Sequence, residues 1–335
     1  MSPQTGAPAR HGPVAGIDLG GTKVRVGIVD RNGRLLRAES HPTQAEQGPE
    51  EIIRRIAAFV QEMAQDAGLE GGLGAAGVGA PGPINVRTGV VSTMPNLPGW
   101  EEFPIRDRLQ GALGFPVAVG NDASVAALAE HRYGAARGSQ DMVYLSLGTG
   151  IGGGIIIGGR LYHGATGAAA EPGHMIIDPH GPPCLCGRQG CLEAFASGGG
   201  IERLAAARVG AGAASSLQTL AQGGKGVAMP DICEAARAGD ALARELMEDA
   251  SSYLGWGIVN LAHLLNPELI VFGGGLLGVR DLLIDPAIAV ARERMFRQHQ
   301  QDLRFATAAL EEDAGALGAA ALASDLLTDR LSQAL

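Results

Sequence analysis

Residues 184–191 read CLCGRQGC and hold three of the chain's four cysteines. Thiols this close could bind a metal, take part in redox chemistry or engage a partner. Three cannot all pair with one another, and the Gly, Arg and Gln between them suit a tight exposed loop. No base stands near them in sequence to activate a catalytic thiol. His174, ten residues before Cys184, offers a fourth ligand, and three cysteines with one histidine make a closed tetrahedral zinc site. The spacing of Cys184, Cys186 and Cys191 is shorter than the usual zinc-finger pattern. With every position filled, such a zinc would be structural, ordering the loop-rich stretch 165–198, which has little apolar content of its own. Cys233, in ICEAA on an apolar helical face, reads as core.

A second chemistry belongs to glycine. GIDLGGTKVRVGIVD (16–30) and LSLGTGIGGGIIIGG (145–159) share one form: apolar strand, Gly/Thr turn, second strand. Such turns let backbone N–H groups face phosphate oxygens without a Cβ in the way, although plain tight hairpins look the same locally. Asp18 ends the first strand where a carboxylate could hold Mg²⁺ or its waters, and Lys23 supplies positive charge. The candidate nucleotide set is Asp18, Gly20, Gly21, Thr22 and Lys23, with Gly148, Thr149 and Gly150, and Gly273, Gly274 and Gly275. Residues 148–153 and 273–278 both satisfy G-x-G-x-x-G. The first runs into another strand, and about 20 residues after the second the chain is still helical, so neither is a dinucleotide site. GGKG (223–226) lacks the hydroxyl residue of a P-loop.

A net charge of −9 with no basic run argues against nucleic acid. The N-terminus has no apolar signal region, and no apolar stretch reaches membrane-spanning length. A cytoplasmic protein is therefore expected, where thiols stay reduced.

The elements that must position these groups follow from pattern. Strands are expected at 14–20, 23–30, 75–84, 116–122, 267–275 and 304–310, two more within 142–164, and helices at 49–68, 123–134, 241–266, 286–298 and 316–327. Strands mixed with helices make the class α/β. The two hairpins suggest two related halves, which would leave a cleft for ligands. Asn121 and Asp122 fall where a strand ends and a helix begins, the usual place for a site residue in an α/β fold. Two jobs fit Asp122 there, a helix cap and a base.

DLGGTK (18–23) with LGTGIGGG (147–154) resembles the two phosphate loops of the actin/hexokinase-type ATPase fold. Adding EPGH (171–174) and CLCGRQGCLE (184–193), the chain resembles the ROK family of bacterial sugar kinases and repressors over nearly its whole length. The resemblance implies a two-lobed fold of duplicated ribonuclease H-like halves. A tail (1–12) would precede a small domain (13–118, joined by the C-terminal helix from about 312), and a large domain (119–311) would carry the zinc loop. It also implies ATP-dependent phosphorylation of glucose at the 6-hydroxyl, as in the family's glucokinases, and a homodimer or homotetramer. Asp122 would be the base, with Asn96, Asn121, Glu171, His174 and Glu193 around the sugar. Another hexose as acceptor and polyphosphate as donor stay open. The short tail before Asp18 leaves no room for the helix-turn-helix of the family's repressors.

Overall fold

The computed structural model describes residues 12–69, 71–94, 97–222 and 226–333. Most of the expected tail, Asn96 and most of GGKG lie outside them. The chain divides into two compact units. The first runs to Gly138 and takes in Arg160–Ala169 and the chain from Ala309 onward; the second holds Ser139–Gly159 and Ala170–Ala308.

The first unit is built on strands β1 (Val14–Leu19), β2 (Lys23–Val29), β3 (Leu35–Pro42), β4 (Ala75–Ala80) and β5 (Val117–Asn121). They lie in the order β3-β2-β1-β4-β5, with β1–β2–β3 antiparallel and β1–β4–β5 parallel. In the second unit β6 (Met142–Leu147), β7 (Ile151–Ile157), β8 (Leu269–Gly273) and β9 (Arg304–Thr307) lie as β7-β6-β8-β9. The hairpin is again antiparallel and the remaining pairs parallel. The order of the first sheet from β2 to β5 is thus repeated, and the fold is that of the actin/hexokinase-like ATPases.

Helix α1 (Pro49–Asp66) starts with Pro49 and two acids in its first turn, which suit the positive helix end. Ile52, Ile53, Ile56, Phe59, Val60 and Met63 recur on one buried face. A short helix, α2 (Ile105–Leu113), lies before β5, where the sequence carried no clear signal. Helix α3 (Asp122–Arg132) follows β5 directly. The first unit therefore extends past the expected boundary at 118. The pairing of β5 with β4 and the packing of α3 on the C-terminal helix carry Asp122 with it.

That last helix of the chain (Ala314–Gln333) approaches the sheet through glycine. A Cβ on Gly16 of β1 would stand 1.8 Å from the carbonyl oxygen of Ala316, and one on Gly77 of β4 would stand 1.8 Å from that of Ala319. Both obstacles are backbone and cannot rotate away. Gly77→Val is therefore expected to destabilise the protein by about 3 kcal/mol or more, at the upper end of overpacking costs. A chemical-denaturation midpoint unchanged from wild type would refute this.

One buried charge stands out in this unit. Glu130 on α3 is fully buried. Its Oε2 accepts the N–H of Ala135 at 2.8 Å, and its Oε1 accepts those of Ala309 and Leu310 at 2.9 Å each. Three backbone donors satisfy a carboxylate that would otherwise be costly to bury.

Candidate active site

In the first unit, the β1–β2 turn is closed by the Gly20 N–H donating to the Lys23 carbonyl at 3.0 Å. Thr43, buried beside it, holds the turn's inner side: its hydroxyl donates to Gly20 O at 2.7 Å and its N–H to Thr22 O at 2.9 Å. Thr22 and Lys23 are left exposed. Asp18, Gly79 and Gly120 share one row across β1, β4 and β5, with Asn121 one step beyond. Asp18 and the start of α3 are thus two strand spacings apart, about 10 Å.

Burial, then the negative charge of Asp122, push the Asp18 carboxyl up to about 6, against the opposing pull of Lys23 and Arg25. Arg25, which faces Asp18 across the hairpin, donates from Nε to Asp313 at 2.9 Å and from its guanidinium to Ser40 Oγ at 3.0 Å. The hairpin is thereby tied to the start of the last helix.

The cap of α3 is Asn121. Its side-chain oxygen accepts the N–H groups of Ala123 and Ser124 at 3.0 and 3.3 Å, and its Nδ2 donates to Gly82 O at 3.3 Å. This last bond ties the cap to the Gly/Pro turn at 79–84. Asp122 sits at the first helical position, where Oδ1 accepts the neighbouring Ala123 N–H at 2.8 Å. Asp122 is open to solvent as a residue, yet surrounding protein crowds its carboxylate. That desolvation holds the carboxyl above its ordinary range in spite of the hydrogen bonds from Ala123, its own backbone and Asn121.

In the second unit, Gly148 N–H closes the β6–β7 turn onto Gly150 O at 3.0 Å. The turn rests on α4 (Leu192–Ala196) and α5 (Gly198–Gly210). Gly198 and Gly199 donate their N–H groups to the carbonyls of Gly148 and Thr149 at 2.8 and 3.0 Å, and Glu193 Oε2 accepts the Ile151 N–H at 2.9 Å. The run of glycines at 198–200 escaped sequence reading. Three glycines after Ser197, at a helix start, are the signal that could have found it, because they mark a close backbone approach. Gly273 pairs with Ser146, and Gly274 and Gly275 are exposed just beyond it, so this third glycine group lies beside the same turn.

His174, Cys184, Cys186 and Cys191 converge: their donor atoms all lie within 4.8 Å of one another. Cys186 Sγ is 3.7 Å from Cys191 Sγ, and Cys184 Sγ is 3.9 Å from His174 Nδ1. A zinc–sulfur bond of about 2.3 Å implies a tetrahedral edge of about 3.8 Å, so both the donor set and its spacing fit the ion. Gly190 makes the loop possible, since its φ is 74° and a Cβ there would stand 1.6 Å from Asp178 O. Burial, followed by contacts with Cys186 and Cys184, pushes the Cys191 thiol up to about 12; a bound cation reverses that preference.

The loop also carries the expected sugar acids. Glu171 precedes the one-turn helix Pro172–His174, which is pressed on β7: a Cβ on Gly173 would stand 2.2 Å from Ile151 O. Glu193 sits in the first turn of α4, whose N-cap residue is Cys191. The expected site residues thus form two groups. Asp18, Gly20–Lys23, Asn121 and Asp122 belong to the first unit, and Gly148–Gly150, Glu171, His174, Glu193 and Gly273–Gly275 to the second. Asn96 lies outside the described residues.

Among known proteins, a glucokinase of Thermotoga maritima is 36% identical over 307 residues, 92% of this chain and 96% of its own length. A ROK hexokinase structure from Thermus thermophilus matches with a TM-score of 0.81 at 36% identity, covering 95% of this chain and 99% of the other. A ROK family glucokinase from Streptomyces griseus, solved with glucose and AMPPNP, matches with a TM-score of 0.73 at 36% identity over 94% of this chain and all of its own. Residues 14–326 match the ROK family as a whole, and the chain belongs to that family.

Proposed function

We propose that this chain is a glucokinase, which transfers the γ-phosphoryl group of ATP to the 6-hydroxyl of glucose and releases ADP. The observation that carries this reading is the capping of α3 by Asn121, which leaves the Asp122 carboxylate available at the helix start. The glucokinases matched above support the substrate pair.

Phosphoryl transfer passes through a loose transition state, so positioning and charge neutralisation do most of the work. Asp122 accepts the proton of the 6-hydroxyl as that oxygen bonds to the γ-phosphorus. The bond from the γ-phosphorus to the bridging oxygen breaks, and ADP departs with the electron pair. The glycine turns and Lys23 hold the phosphates. Asp18 is the residue that would hold Mg²⁺, which when bound neutralises phosphate charge. Asn121, Glu171, His174 and Glu193, with Asn96, bind the sugar hydroxyls. His174 can serve both roles: Nδ1 faces the thiols, and with a metal there the other ring nitrogen carries a proton to donate. Zinc held by His174, Cys184, Cys186 and Cys191 is structural.

No described helix is long and apolar enough to cross a membrane, and a cytoplasmic place suits an enzyme that consumes ATP. A homodimer or homotetramer is the assembly the family resemblance implies.

A panel of hexoses with ATP and Mg²⁺, followed by ADP release, tests the reading. Glucose should give the highest kcat/KM, and a preference for another hexose would overturn the substrate assignment. The same assay reads pH dependence. Asp122 must be ionised to take a proton, and Asp18 must be ionised to neutralise a cation. Their raised pKa values mean that both become protonated at a higher pH than ordinary carboxylates. Activity is expected to fall as pH drops through about 6, and a profile flat down to pH ~5 would refute the assignment.

A further inference from the structure

The nucleotide turn of the second unit and the metal-anchored helix α4 meet at one side chain. Glu193 Oε2 accepts the N–H of Ile151, the residue that ends the turn, at 2.9 Å. A Cβ on Gly150 would stand 2.6 Å from the same oxygen. The other oxygen, Oε1, lies 3.7 Å from Cys184 Sγ. Below, the Glu193 carbonyl accepts the Ser197 hydroxyl at 2.7 Å, and Ser197 in turn caps α5, whose first N–H groups hold the Gly148 and Thr149 carbonyls. Ile151 is buried, so without the carboxylate its N–H would lose a charge-assisted partner in a place water does not reach.

We propose that Glu193 is a positioning residue for the nucleotide as well as a ligand of the sugar: its carboxylate fixes the turn Gly148–Gly150, and the two substrates are coupled through it. The proposal rests on the kinase reading of the hairpin. A carboxylate has about four acceptor sites, so a sugar hydroxyl can bind without displacing Ile151, but it tightens or loosens the hold on that amide. Coupling of this kind is reciprocal. A change on the nucleotide side must therefore be felt by the sugar, and the reverse.

The test measures binding to the zinc-replete protein by calorimetry, one substrate at a time. AMPPNP with Mg²⁺, in the absence of sugar, is expected to bind Glu193→Met about tenfold more weakly than wild type, the size of one lost buried hydrogen bond. Glu193→Gln keeps an oxygen for Ile151 and should stay within about threefold. Glucose, in the absence of nucleotide, is expected to bind Gly150→Ala about fivefold more weakly, because the new methyl displaces the Glu193 carboxylate. If Glu193→Met loses glucose affinity yet binds AMPPNP as wild type does, Glu193 serves the sugar alone and the proposal fails. If Glu193→Met does not fold, Gly150→Ala decides, and an unchanged glucose Kd overturns the proposal. A wild-type protein that binds glucose but not AMPPNP would instead sink the kinase reading, and the proposal with it.

Discussion

Asp122→Ala is expected to lower kcat by about 10³-fold or more while leaving the glucose Kd within about threefold. The Asp122 carboxylate accepts the N–H of the adjacent Ala123, and the cap of α3 belongs to Asn121. Its removal therefore takes away the proton acceptor without unravelling the helix. Asp122→Asn preserves shape and should be equally inactive, which separates proton transfer from packing. The contrasting variant is Asn121→Ala. Loss of a cap costs about 0.5–2 kcal/mol, and this one also frees the Gly82 carbonyl, so stability should fall. Phosphorylation by Asp122→Ala at near wild-type rate in the ADP-release assay would mean that the base lies elsewhere.

The second large effect concerns the metal. Chelation, or Cys184→Ala, is expected to lower Tm by about 10 °C, from a loss of about 3–4 kcal/mol in a unit of this size. It should also raise the glucose KM about tenfold or more. At the tip of the loop the buried apolar cluster consists of Cys184, Cys191 and Ala194, so two of the thiols that would hold the ion are themselves the packing there. Its turn depends on Gly187 and Gly190, both at positive φ. Glu171 lies three positions before His174 and Glu193 two after Cys191, so release of the ion is expected to loosen the segments that carry both acids. Metal content by mass spectrometry, thermal denaturation and sugar kinetics on one preparation provide the check. Unchanged kinetics in a demonstrably zinc-free protein would reject the role.

The hairpins were legible because each places a glycine turn between two apolar runs, a pattern that needs no distant partner. Helix α2 was not: IRDRLQGAL follows Pro104, has no side-chain cap and carries an interior glycine. Its buried Ile105, Leu109 and Leu113 are too few to announce a period. The cap of α3 illustrates a finer limit. Asn and Asp are equally good capping residues, and only the extended backbone at Asn121, with φ −66° and ψ 145°, decides which of the two does it. Thr43 left no local mark, since its partners are Gly20 and Thr22, on a neighbouring strand turn. That His174 and the three loop cysteines could come together was readable because cysteine is so rare here, and the structure does bring their donor atoms within 4.8 Å of one another. The bond from Glu193 to Ile151 was not readable, because it spans 42 positions and involves a backbone amide that sequence cannot point to.

Glu130 bears on how this chain could be cut. Its three partners come from two places, Ala135 just before the crossing at Gly138 and Ala309–Leu310 just after the return at Ala308. A fragment ending at Gly138 would bury a carboxylate with two of its three donors missing. A chain in which Ala309 follows Gly138 directly, with the intervening residues excised, would keep all three. The first unit is contiguous in space but not along the chain, and this one side chain records where the two ends have to be sewn together.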